Sequence, residues 1–448
     1  MKKQVFFVVI MLTAVLFSCR KSNIETVKTV SLSVQVGYNA EDSALGLSKA
    51  GVAVKVTNIV SGQVYNDTTN AGGVALFANL TPSNYTVVAG KNLTAEEYKT
   101  ITGIAVAGNV AFNATETQAF NDNSSLKLQL QSGKIGDLVV KQFYYAGSNT
   151  STGASFRDAF VEIYNNSNQT IYLDSLYIGN TYSTNTALSA GGVAYDWTKS
   201  VGITAPLGDA NKNYLYFRYL FMIPGTGKQH PLAPGKSFIL AETGINHGVP
   251  YTDNSGVIQG ITNPALTVDL SKADFETYMV DYKKAEYTGT GTFSPYRWDL
   301  DNPAVPNAVV IYSNGNDWVM DATGREDIVI FKDSTNFSTW KKFPDPTVTN
   351  VTTSTNFGFQ APSRGVIDAV EIITPLETNR RPKRLPSTLD AAGTFVTAGQ
   401  YSSQSLIRKT LKTVEGRKIL QDTNNSANDF NTKTRADASK TEASFTTN

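Results

Sequence analysis

Val30-Ser31-Leu32-Ser33-Val34-Gln35-Val36 alternates apolar and polar residues without a break. Successive side chains of a strand point to opposite faces, so a period of two buries one face and wets the other. The stretch reads as a half-buried strand, and its neighbourhood repeats the signal. Ala53, Val54, Val56, Ile59 and Val60 form a second candidate. The turn cluster Thr68-Thr69-Asn70-Ala71-Gly72-Gly73 leads into Val74-Ala75-Leu76-Phe77, and Leu80 to Val88 follows. Leu126, Leu128 and Leu130 alternate again. Short strands separated by turn signals predict a small sandwich over residues 27–132.

Farther along, Leu138 to Tyr145, Ala159 to Ser167 and Ile171 to Ile178 read as strands, as do Phe238 to Ala241 and Ser405 to Arg408. They predict a second module over residues 135–431. The best helix signal starts at Ser271 with Asp274 at the third position, and Phe275, Tyr278, Met279 and Tyr282 share one helical face. The predicted fold class is all-β: two β-sandwich, immunoglobulin-like modules, the second with long insertions that include a short helix. Residues 432–448 are polar with almost no apolar side chains and are expected to be disordered, because little burial offsets the entropy of ordering.

Composition narrows the function. Charged residues are 17% of the 448, below the usual value of about 25%. Formal net charge is +1, which argues against a nucleic-acid partner. Cys19 is the only cysteine, so no intrachain disulfide forms. His230 and His247 are the only histidines. They lie on predicted loops without co-ligand spacing and read as surface or loop residues.

The amino terminus carries the most specific signal. Met1-Lys2-Lys3 is basic, and Val5 to Phe17 is almost wholly apolar. That run is about 13 residues, short of the roughly 20 a membrane span needs. It ends in Leu16-Phe17-Ser18-Cys19, which resembles a lipobox. The resemblance implies a lipoprotein signal peptide over 1–18, lipidation of Cys19 and a tether over 19–26. Arg20 follows where some lipoproteins carry an inner-membrane retention aspartate, so outer-membrane anchoring is expected, in either leaflet.

Two further resemblances concern fold. Gly51-Val52-Ala53-Val54, the Thr69 to Ala75 turn and Leu80-Thr81-Pro82-Ser83-Asn84-Tyr85 resemble transthyretin-like, carboxypeptidase-regulatory-type sandwiches, in which the tyrosine strand closes the core. Phe160, Glu162, Tyr164 and Asn165, the Leu232-Ala233-Pro234-Gly235 turn and the segments at 405–408 and 421–430 resemble a lamin-tail domain. The excess length falls at about 180–215, 245–305 and 333–365. The whole chain resembles uncharacterised Bacteroidetes lipoproteins that join two such modules.

Little points to catalysis. Gly235-Lys236-Ser237 lacks the upstream glycine of a phosphate loop, which would stand at His230. Neither Gly-x-Ser-x-Gly nor His-Glu-x-x-His occurs. Asp299 and Asp301 are candidate metal ligands, without the turn glycine of an EF-hand. Arg380-Arg381-Pro382-Lys383-Arg384 reads as a solvated basic loop. Asp-Ser/Thr triplets resemble an O-glycosylation motif at Asp42-Ser43-Ala44, Asp67-Thr68-Thr69, Asp174-Ser175-Leu176 and Asp333-Ser334-Thr335, with Ser43 and Thr68 the accessible candidates and Ser175 inside a predicted strand. No catalytic residue and no cofactor are assigned. The expected function is that of a lipid-anchored, non-catalytic binding or accessory protein of the envelope, with a TonB-dependent transporter or an extracellular ligand as candidate partner. The alternatives are a structural or adhesive envelope module and a metal-dependent hydrolase with its site in the insertions.

Overall fold

The computed structural model describes residues 28–448 apart from 39, 44, 103–109, 134–136, 168, 185, 188, 190–194, 204–209 and 415. The described chain is all-β with short helices, as the alternating runs predict.

The first module contains β1 (Val30–Tyr38), β2 (Ala53–Asn58), β3 (Val64–Thr68), β4 (Val74–Leu80), β5 (Ser83–Leu93), β6 (Val110–Phe120) and β7 (Ser124–Gly133). Their order is β3-β2-β5-β6-β7-β1-β4. β6 pairs with β7 only where Ala111–Asn113 meets Gln131–Gly133. At that junction the strands separate into two layers, β3-β2-β5-β6 and β7-β1-β4. Alternation decides what lies between them. Val30, Leu32, Val34 and Val36 are buried with Val54, Val56, Val87 and Phe112. Tyr85 is fully buried in this core, and its hydroxyl donates to Thr81 O at 2.7 Å.

In the second module β8 (Leu138–Tyr144) and β9 (Phe160–Asn165) are buried at every position. They lie mid-sheet in the order 275–276, 237–241, β9, β8, 405–408, 430–433. A facing sheet runs 342–344, 357–362, 214–222, 177–181, 328–331, 366–370. Val140, Phe143, Val161 and Ile163 pack with Ile178, Phe221 and Ile330 in one core.

Four sequence expectations change. The helix does not start after Ser271; it spans Val280–Glu286. Phe275 and Glu276 instead pair in parallel with Leu240 and Ala241. Phe275 lies against His230 and Phe238 there, and tertiary pairing overrides the helical spacing. The strand expected over Ile171–Ile178 breaks after Tyr172 and resumes at Tyr177. Asp174 causes the break: its carboxylate accepts the backbone N–H groups of Gly227, Gln229 and His230.

The tail is ordered rather than disordered. Phe430–Lys433 joins the sheet, and Ser444 is fully buried. The face that the tail covers is polar. Buried Lys141 bonds Glu162 at 2.8 Å and the Ser444 hydroxyl at 2.6 Å. Gln142 exchanges hydrogen bonds with the Asp437 backbone at 2.7 and 3.0 Å. Hydrogen bonding to buried polar groups, with Phe445 packed edge-on against Tyr164, therefore holds a tail that its own composition does not order.

The basic run is not a solvated loop. Arg384 forks onto Asp327 at 3.0 and 2.6 Å, Lys383 pairs with Glu371, and Arg380 pairs with Glu377 at 2.9 Å.

Candidate functional site

The outward face of β2, β5 and β6 turns toward the second module. Asn113 Nδ2 donates to Thr423 O at 2.5 Å, and the Thr115 hydroxyl donates to Ala391 O. The turn between β2 and β3 comes close to Glu377: a Cβ added at Gly62 would lie 2.5 Å from its carboxylate. Between the modules is a cavity of about 1090 Å³. Because β2 alternates, Val54 and Val56 enter the core while Ala53, Lys55 and Thr57 line this cleft.

Most charges around the cleft are already engaged. Glu371 and Glu377 hold Lys383 and Arg380. Asp67 accepts the N–H groups of Thr68 and Leu76 at 2.8 and 3.0 Å. Glu97 accepts from Thr94 N at 2.7 Å, and Lys91 donates to Ser48 O and Ala50 O at 2.9 and 2.8 Å. Arg381 donates to Thr184 O and Asn379 O. The side chains of Lys55, Thr57, Asn66, Asn92 and Asn428 line the same space without a hydrogen bond to any described residue. No motif announces this site in the sequence, because its walls come from segments more than 250 residues apart in the chain, as the Thr115–Ala391 separation of 276 shows.

A second polar cluster lies where β9 begins and Ser237–Ala241 ends. Glu242 N donates to Ala159 O at 3.0 Å, which brings Glu242 beside Arg157 and Asp158. Of eleven buried side-chain N and O atoms without a hydrogen-bond partner among the described residues, eight are here: Arg157 Nε, Asp158 Oδ1, both Glu242 oxygens, His247 Nδ1, Tyr251 OH, Trp298 Nε1 and Asp317 Oδ2. Burial, and then the charges of Asp317 and Asp158, raise the Glu242 pKa well above its ordinary value. Burial pushes Asp158 and Asp317 up to about 7 and, with Asp317 beside it, Asp299 up to about 8. The four carboxylates are thus shifted toward the protonated form, and Asp158, Glu242, Asp299 and Asp317 are each no more than 1% exposed. Among the described residues no group of three or more His, Cys, Asp or Glu side chains is arranged to hold a metal ion. Asp158, Glu242 and Asp317 escape sequence reading because they lie on three separate segments.

This cluster makes stability depend on pH. Each carboxyl has a folded pKa above the unfolded value of about 4. The folded state therefore binds these protons more tightly, and stability falls as pH rises through the folded values. His247 acts oppositely below about pH 6.5: burial lowers its pKa to about 4, so the unfolded chain takes that proton first. The unfolding midpoint is expected to rise from about pH 8 to about pH 6.5, and Glu242→Gln to narrow the difference. Calorimetry across that window checks this; a midpoint that falls over it contradicts the assignment.

The residues singled out by sequence separate. Asp299 is buried and both its oxygens accept the Met279 N–H, at 3.1 and 3.0 Å. Asp301 is exposed and accepts from Asn307 Nδ2 at 2.9 Å. Among the described residues they belong to no group of three or more His, Cys, Asp or Glu side chains arranged to hold a metal ion. His247 is fully buried rather than a surface residue. Ser43 ends a one-turn helix, exposed, with its hydroxyl on Tyr38 O at 3.0 Å. Thr68 is exposed at the end of β3, on the wall of the cleft. Ser175 is exposed at the strand break with φ 59°. Cys19 lies outside the described residues, among which no helix is long and apolar enough to cross a membrane.

The comparisons extend the fold and leave activity open. A family model described as "Protein of unknown function (DUF4876)" matches residues 233–437. A DUF4876 family protein of known structure from Bacteroides thetaiotaomicron is 24% identical, covers 90% of this chain and 94% of its own, and superposes with a TM-score of 0.50. A DUF3823 family protein from Bacteroides uniformis is 9% identical over 75% of this chain and 98% of its own, with a TM-score of 0.16. No curated protein matches the chain.

Proposed function

We propose that this chain is a lipid-anchored, non-catalytic binding protein of the outer membrane, attached through Cys19, whose ligand occupies the cleft between the two modules. The observation that carries this reading is the cavity of about 1090 Å³, lined by side chains of both modules that have no hydrogen-bond partner among the described residues. Cavities of this size bury most of a small ligand's surface. A lipid-anchored protein with a ligand in this cleft would be placed to pass it to a membrane transporter. The hydrolase alternative would draw on Asp158, Glu242 and Asp317, whose carboxylates are each no more than 1% exposed.

Hydrogen exchange of the full-length protein, with and without a cell-envelope extract of its host, tests the binding reading. Amides of Ala53–Asn58 and Asn425–Asn428 are expected to exchange several-fold more slowly with the extract. Unchanged exchange at both segments rejects the cleft as the ligand site.

A further inference from the structure

We infer that the cleft takes a neutral, hydroxyl-rich ligand of the carbohydrate class; this rests on the cleft being the ligand site. The groups that the cleft has left unpaired decide the ligand class. Its carboxylates and most of its cations are consumed within the chain, by the Glu371–Lys383 and Glu377–Arg380 pairs and by backbone groups around Asp67, Glu97 and Lys91. An ionic ligand would have to compete with these partners. The side chains without partners among the described residues are mostly neutral: Thr57, Asn66, Asn92 and Asn428, with Lys55 the one ammonium among them.

Amide and hydroxyl side chains both donate and accept. A sugar hydroxyl does the same, so each can be satisfied without a charge on either side. The floor supports this chemistry. It is the face of the sheet, where Lys55 and Thr57 of β2 and Thr86 and Val88 of β5 line the cavity. A sheet face recognises through side chains. A peptide adding as a strand instead uses the backbone groups of a free edge. Across the cleft Phe395, half-buried, adds an apolar surface on which a sugar ring can rest.

The test uses the same exchange measurement on the full-length protein. The envelope extract is divided into one part treated with proteinase K and one oxidised with periodate, which cleaves vicinal diols. Slowed exchange at Ala53–Asn58 is expected to survive the protease and disappear after periodate. The double variant Asn66→Ala/Asn92→Ala, with an unchanged unfolding midpoint, is expected to need at least about 10-fold more of the protease-treated extract for half-maximal protection, the loss of two hydrogen bonds. Ser33→Ala, on the outer face of β1, is expected to behave as wild type. Protection that survives periodate and is lost to protease overturns the carbohydrate assignment, in favour of a peptide, while leaving the cleft as a binding site. No protection with untreated extract rejects the binding reading itself.

Discussion

Arg408→Met is expected to lower the unfolding midpoint by on the order of 10 °C, from a loss of about 3–5 kcal/mol. Arg408 is 1% exposed. Its guanidinium bonds Asp368, lies 3.3 Å from Asp422 and 3.7 Å from Asp429, and donates to Val140 O at 2.7 Å and Gln421 O at 3.1 Å. It also sits 4.5 Å from the centre of the Phe430 ring. Asp368 belongs to one sheet of the second sandwich and Arg408 to the other, and Asp368 also accepts Val140 N at 2.7 Å. One cation therefore ties the sheets together and neutralises a cluster of buried carboxylates. Methionine fills much of the volume but leaves those carboxylates uncompensated, which is the costly way to break a buried pair. Arg408→Lys is expected to recover only part of the loss, because an ammonium lacks the planar fork. A Met variant that melts within about 2 °C of the wild type would falsify this account.

Cys19→Ser is expected to abolish metabolic labelling with palmitate and to move the protein from the membrane fraction to an unprocessed or soluble form. The anchor chemistry demands an all-or-none outcome. A diacylglycerol thioether plus an N-acyl chain exceeds the two signals that stable anchoring takes, whereas serine offers no thiol to carry the first. Since Cys19 is the only cysteine in the chain, loss of label in the variant cannot come from another thiol. Retained label together with retained membrane partition would remove the lipobox reading and with it the localisation proposed above.

Period two in β1, and the solid apolar runs of β8 and β9, were legible because strand geometry is local: the pleat alone decides which side chains share a face. The same logic brought Tyr85 into the first core and the Pro234-Gly235 turn to the start of the strand at Ser237. Where local signals compete, tertiary structure decides. Phe275 satisfies a helical pattern and a buried strand position equally well in sequence, and only its place beside Leu240 selects the strand.

The candidate site was not legible, and the reason is the range of the interactions that make it. Alternation states that Lys55 and Thr57 leave the first core, but not that residues 371–428 will roof them. Arg380 to Arg384 looks like free positive charge until Glu377, Glu371 and Asp327 are brought to it. The polar tail shows little reason in sequence to be ordered until Lys141 and Gln142 present buried polar groups that Ser444 and Asp437 help to satisfy. Asp158, Glu242 and Asp317 look ordinary singly, and their pKa values rise only because the fold buries them, Glu242 also beside the other two charges. The chain alone thus determined its strands, its β class and the thiol at Cys19, all set by neighbours in sequence. The tertiary structure decided which polar groups find partners and which are left facing a cleft, because hydrogen bonds and charge pairs depend on distances in space that no local pattern encodes.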